Sequence, residues 1–110
     1  MSAQVPWNAE RYANAERATR PFARALLQHA RLEDTSYPIH LFDLACGTGA
    51  VVAELYDAVP RDKWYEVKVL AGDKSAGMVQ YVQQRSGKEG WDGVQAKEVD
   101  GNVRIQHDMY

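Results

Sequence analysis

The spacing of apolar and polar positions changes character several times along the 110-residue chain. Residues 8–32, NAERYANAERATRPFARALLQHARL, are rich in Ala, Arg, Glu and Leu, which favour helix. Proline is tolerated in a helix's first turn but not in its interior, so Pro21 predicts a short helix over 8–17 and a second one beginning near Thr19. In the second, Phe22, Leu26 and His29–Ala30 recur at spacings of three and four and form the expected inward stripe. Arg20, Arg24 and Arg31 then fall on a solvated face. Residues 32–38, LEDTSYP, read as a loop. Ile39 to Ala45 form an apolar run bounded by turn residues, the pattern of a strand buried on both faces.

Ala50 to Val59 return to helical period and stop at Pro60, and residues 60–64 turn. Glu66 to Ala71 alternate as a strand. Ser75 to Arg85 predict a helix with Met78, Val79 and Val82 inward and Gly87 as its C-terminal cap. KEGWDG is a loop, and Val94 to Val99 give a third strand of uneven alternation. Helix and strand thus alternate, which predicts an α/β fold: a Rossmann-like parallel sheet with flanking helices, cut short after about three strands. Residues 1–38 would be a helical N-terminal segment and 39–110 a βαβαβ unit of one incomplete domain.

Composition narrows the function classes. The formal net charge of −2 gives no electrostatic case for a nucleic-acid partner. Cys46 is the sole cysteine, so no disulfide framework is expected. The polar start, MSAQVPWNAERYANAER, does not have the form of a signal peptide, and no apolar run approaches the roughly 20 residues that span a bilayer. A soluble, cytoplasmic protein without a membrane partner is expected. His29, His40 and His107 lack metal-ligand spacing, and no metal site is expected.

The chemistry concentrates in LFDLACGTGA, residues 41–50. Asp43 stands where a buried strand would carry a hydrophobe, and burying an uncompensated carboxylate is expensive. Gly47 and Gly49 permit positive φ and close backbone approach at the point where a strand runs into a helix N-terminus. The run is not a dinucleotide fingerprint, because Val52 occupies the last position, and no Gly-Lys-Ser/Thr of a phosphate loop follows. One βα unit later, VLAGDKSAGM places Asp73 just past the end of the second strand. A carboxylate there can accept from both hydroxyls of a ribose, or it can simply cap the following helix together with Ser75.

DLACGTG followed by GDKSAGM resembles the first two motifs of the class I S-adenosylmethionine-dependent methyltransferases, and the WNAERYA…LL opening is similar to fungal small-molecule methyltransferases. The resemblance implies S-adenosylmethionine as cofactor. Asp43, Ala45, Gly47, Thr48 and Gly49 would border its methionine end, Asp73 its ribose and Lys74 its adenine, with Asp100 near the adenine amino group. Tyr12 would match an N-terminal lid position, or serve as helix core. Cys46 would be a small packed residue beside the cofactor rather than a nucleophile. Catalytic residues cannot be assigned, because the family draws its acceptor site from later strands. A small-molecule acceptor of a secondary-metabolite pathway is implied if the chain is active. The alternative is a non-catalytic cofactor-binding or regulatory subunit that completes its fold on a partner. The first strand's exposed edge would favour self-association or a partner chain. A redox or nucleotide-binding domain is disfavoured by the failed motifs.

Overall fold

A computed structural model describes residues 9–99. The expected alternation is present: helix α1 (Ala9–His29), strand β1 (Ile39–Asp43), helix α2 (Ala50–Ala58), strand β2 (Val67–Asp73), helix α3 (Ala76–Glu89) and strand β3 (Val94–Glu98). The three strands form one parallel sheet in the order β1-β2-β3. Ile39 pairs with Val67 and Asp43 with Ala71, while Val69 pairs with Val94 and Asp73 with Glu98. The parallel register brings the carboxyl ends of β1 and β2 to one rim.

One side of the sheet is packed. Ile39, Val67, Val69 and Ala71 join Val52, Leu55 and Tyr56 of α2, Val82 of α3 and Trp91 in a single core. Tyr56 stacks on Trp91 at 5.4 Å and meets the edge of Trp64 at 4.8 Å, adding directional contacts to the area buried. His40, Lys68, Gln95 and Lys97 alternate with these positions and are exposed. The expectation of a first strand buried on both faces is therefore corrected. Among the described residues a helical layer covers one face only, and β1 ends at Asp43, two residues short of Ala45.

The largest departure concerns α1. It is one continuous helix of 21 residues with Pro21 inside it, not two helices divided there. A mid-helix proline removes one hydrogen bond and costs about 3 kcal/mol. Anchors on both sides of it hold the helix together. Arg20 reaches Glu54 and Asp57 at 2.8 and 2.6 Å, and Arg24 reaches Glu54 at 3.0 Å. The helix is also rotated relative to the expected stripe. Ala23 is buried and Leu27 packs on the core, whereas Phe22 is 78% and Leu26 56% exposed, and His29 and Ala30 are also exposed. Arg20 and Arg24, expected on a solvated face, reach to α2, Arg20 mostly covered and Arg24 still 60% exposed.

Smaller corrections follow from cap chemistry. Ser75 precedes α3 and its hydroxyl accepts from the Met78 N–H, so the helix starts at Ala76. It runs past Gly87 to Glu89, and Gly90, at φ 80°, is the terminating residue. Strand β2 begins at Val67 and extends through Asp73, and residues 61–66 form a 3-10 turn. Asp100, His107 and the remainder of 100–110 lie outside the described residues.

Candidate functional site

The turn Leu44–Gly49 carries the chain from β1 to α2 and is pinned from below. Cys46 N–H donates to the Gly72 carbonyl at 3.0 Å, and Gly49 N–H donates to the Cys46 carbonyl at 2.7 Å. The Asp73 carboxylate accepts from Gly47 N–H through Oδ2 and from Ser75 N–H through Oδ1, both at 2.9 Å. Asp73 thereby ties the glycine turn to the start of α3. Each carboxylate oxygen has two acceptor sites, so both retain capacity for a further donor. The capping alternative for Asp73 is realised in part: Ser75 is the N-cap, and Asp73 supports it.

The two glycines divide their work. Gly47 has φ 52°, and a Cβ built there meets nothing within 4 Å, so its backbone faces open space. Gly49 has φ 93°, and its Cβ would come within 3.6 Å of Val82 and 3.9 Å of Trp91. Positive φ favours glycine at both. Only Gly47 offers backbone to a ligand, whereas Gly49 turns toward the core.

Above this turn lies a cavity of about 420 Å³. Asp43, Ala45, Cys46, Gly47 and Thr48 form its floor, Ala50, Val51 and Met78 its far side, and Ala15, Thr19, Phe22, Ala23 and Leu26 of α1 its wall. Asp43 is the one charged side chain in that lining. Burial pushes its carboxyl above the ordinary carboxylate range; the Ala45 N–H opposes this and the Asp73 charge adds to it. No basic side chain of the described residues forms an ion pair with it. Cys46 is buried, and burial together with the charges of Asp43 and Asp73 pushes its thiol up to about 12. A thiol so protonated is a poor nucleophile.

Thus Asp43, Ala45, Gly47, Thr48 and Asp73 share one rim, and Gly49 lies behind it. Lys74 is exposed and outside the cavity lining. Tyr12 packs its ring on Tyr81 at 4.2 Å and does not line the cavity either. The α1 wall is not legible in the sequence, where the spacing of Phe22 and Leu26 points to an inward stripe instead. Among the described residues no cluster of three or more His, Cys, Asp or Glu could hold a metal ion, and no helix is long and apolar enough to cross a membrane.

A glycine turn at the carboxyl rim of a parallel sheet, with acids ending two adjacent strands, is the arrangement of a Rossmann-like ligand-binding fold. The chain shares this fold with a SAM-dependent methyltransferase from Aquifex aeolicus (TM-score 0.63, 17% identity, 90% of this chain and 50% of that one). It shares it also with a geranyl diphosphate methyltransferase solved in complex with SAM (TM-score 0.61, 20% identity, 87% and 38%). In sequence it is 36% identical over 96 residues to acetylaranotin bis-thiomethyltransferase of Aspergillus terreus, covering 84% of this chain and 34% of that protein. Methyltransferases of three further Aspergillus species match at 30–35% identity. No protein-family model matches. The chain resembles the class I S-adenosylmethionine-dependent methyltransferases in sequence and fold, and it spans about a third of the length of the curated relatives it matches.

Proposed function

We propose that this chain is the cofactor-binding part of a cytoplasmic methyltransferase acting on a small molecule of a secondary-metabolite pathway, with S-adenosylmethionine held on the β1–β2 rim. Asp43, Ala45, Gly47 and Thr48 would hold the methionine end, with Gly49 shaping the turn behind them, Asp73 would hold the ribose, and Lys74 and Asp100 the adenine. One observation carries the reading: Asp43 is a half-buried acid with no cationic partner among the described residues, at the floor of a cavity flanked by an open glycine backbone. An ammonium group of the ligand is the missing counter-charge. When bound, the cofactor supplies an electrophilic methyl group on a sulfonium centre. The chain's own residues would bind and orient it, and the mostly apolar α1 wall would limit water in the cavity.

Calorimetric titration of the full chain with S-adenosylmethionine tests this. Binding that Asp73→Ala abolishes or strongly weakens supports the reading, and absence of binding by the wild type overturns it. A second reading, a non-catalytic subunit completing its fold on a partner, is favoured by the position of β1, which has a neighbouring strand on one side only among the described residues. Methyl transfer to any small-molecule acceptor by the isolated chain would decide for the enzyme.

A further inference from the structure

Arg85 of α3 occupies a junction that neither the sequence motifs nor the cofactor assignment uses. Its Nη1 donates to the carbonyl of Thr48, the residue between the two glycines, at 3.1 Å. The same nitrogen forms an ion pair with Glu16 of α1. Its guanidinium lies 5.0 Å from the centre of the Trp91 ring, which is itself buried and stacked on Tyr56. The Arg85 and Glu16 side chains are only 16% and 15% exposed, so this contact is largely withdrawn from water.

The consequence for the turn is geometric. The Thr48–Gly49 peptide plane is held at both ends, its carbonyl by Arg85 and its N–H by the Cys46 carbonyl. A peptide fixed at both ends cannot rotate, and Thr48 lines the cavity. Glu16 meanwhile adjoins Ala15 and precedes Thr19, Phe22 and Ala23 on the cavity wall. One guanidinium therefore sets the position of the turn relative to the wall that faces it. Charge-assisted bonds of this kind are the stronger ones, and the planar arginine fork can serve two acceptors in fixed directions.

We infer that Arg85 is a positioning residue for the ligand's amino-acid end: by holding the Thr48 carbonyl and tying α1 to it through Glu16, it presets the cavity around Asp43 and Gly47. The inference rests on the cofactor reading and adds a residue that touches no ligand. Arg85 makes its hydrogen bonds to Glu16 and Thr48 and none to Asp73, the residue assigned to the ribose end.

Two thioethers separate the ends. S-adenosylhomocysteine carries the amino-acid tail, whereas 5′-methylthioadenosine has a methyl group in its place. In the full chain, Arg85→Met should weaken S-adenosylhomocysteine about tenfold, the size of one hydrogen bond to a charged group, and leave 5′-methylthioadenosine within about twofold. Because this variant strands Glu16, a second one is needed: Glu16→Met with Arg85→Met replaces the ion pair by an apolar pair of similar length. It should melt near the wild type and still show the tenfold loss for S-adenosylhomocysteine alone. Equal losses for both ligands, no loss for either, or full recovery of affinity in the double variant would overturn the inference. A wild type that binds neither thioether would overturn the cofactor reading itself, and the inference with it.

Discussion

The α1–α2 seam and the carboxyl rim of the sheet each hold an acid withdrawn from water, and their surroundings treat the two charges in opposite ways. In the seam, Glu54 is buried, which by itself would raise its pKa. Hydrogen bonds from Arg20 and Arg24 and their positive charges outweigh that and hold its carboxyl below the usual range. At the rim, burial pushes Asp43 up, and the charge of Asp73, of the same sign, adds to the shift. The seam is a finished contact. The rim is left with charge to be answered from outside, and such unresolved electrostatics concentrate where ligands bind.

The sharpest way to break this contrast is to spoil the finished side. Glu54→Ala leaves Arg20 and Arg24 facing each other over a cavity. Losing one partner of a buried pair costs about 3–5 kcal/mol, and since Arg24 is 60% exposed we expect about 2–4 kcal/mol. Urea denaturation measures it, and Glu54→Gln should recover roughly half. A Glu54→Ala chain as stable as the wild type would mean that the seam is not held by charge, and that Pro21 needs no such anchors.

Asp73→Ala comes next. It removes the acceptor of the Gly47 and Ser75 N–H groups, so the turn loses its tie to α3 while Ser75 still caps the helix. The expected loss is about a hundredfold in S-adenosylmethionine affinity, two hydrogen bonds to a carboxylate, with a stability cost of about 1 kcal/mol. A stability loss without any change in affinity would leave Asp73 a structural residue only.

Asp43→Asn should act with opposite signs on stability and binding. Neutralising an acid that the fold disfavours is expected to raise stability at pH 7 by up to about 1 kcal/mol and to lower cofactor affinity about tenfold. The pH dependence sharpens the contrast. For Asp43 the folded state binds its proton more tightly than the unfolded state, so stability falls as pH rises from the ordinary carboxylate range through the raised folded value. For Glu54 the folded value is depressed, so its contribution is fully present above the unfolded value and is lost as pH falls through the folded one. Denaturation midpoints followed between about pH 3 and 7 should therefore lose their acid-side fall in Glu54→Gln and their rise toward mild acid in Asp43→Asn. Identical profiles in the two variants would erase the distinction between seam and rim.

Much of this layout is legible in the sequence because it is local. The periods of β1, α2, β2 and α3, the stop at Pro60 and the glycine turn each lie within a few neighbouring residues, and their placement by pattern is right to within a few positions. What pattern cannot show is partnership at a distance. Arg20 and Arg24 look like a solvated face until Glu54, 34 and 30 residues away, is seen to receive them. The same pairs explain why α1 continues through Pro21 when local propensity says it should end. Arg85 and Glu16 are 69 residues apart, and nothing around either marks it as half of a junction. Gly47 and Gly49 look equivalent in CGTGA, and only the packing of Val82 and Trp91 behind one of them separates their roles.

The smallest effect is expected on the two sides of α1. Phe22 belongs with Leu26 to the stripe expected to face inward, yet it is exposed over the cavity, whereas Leu27 packs on the core. Leu27→Ala should cost about 1–2 kcal/mol, less than a fully buried leucine because it is only partly covered. Phe22→Ala removes no buried contact, and alanine is the better helix former, so stability should stay within about 0.5 kcal/mol of the wild type. Its effect should fall on ligand binding instead, as a two- to threefold weakening (roughly one partly desolvated ring contact). If Phe22→Ala destabilised the chain as much as Leu27→Ala, the wall of the cavity would be core after all. The acid at its floor would then have no opening through which a counter-charge could arrive.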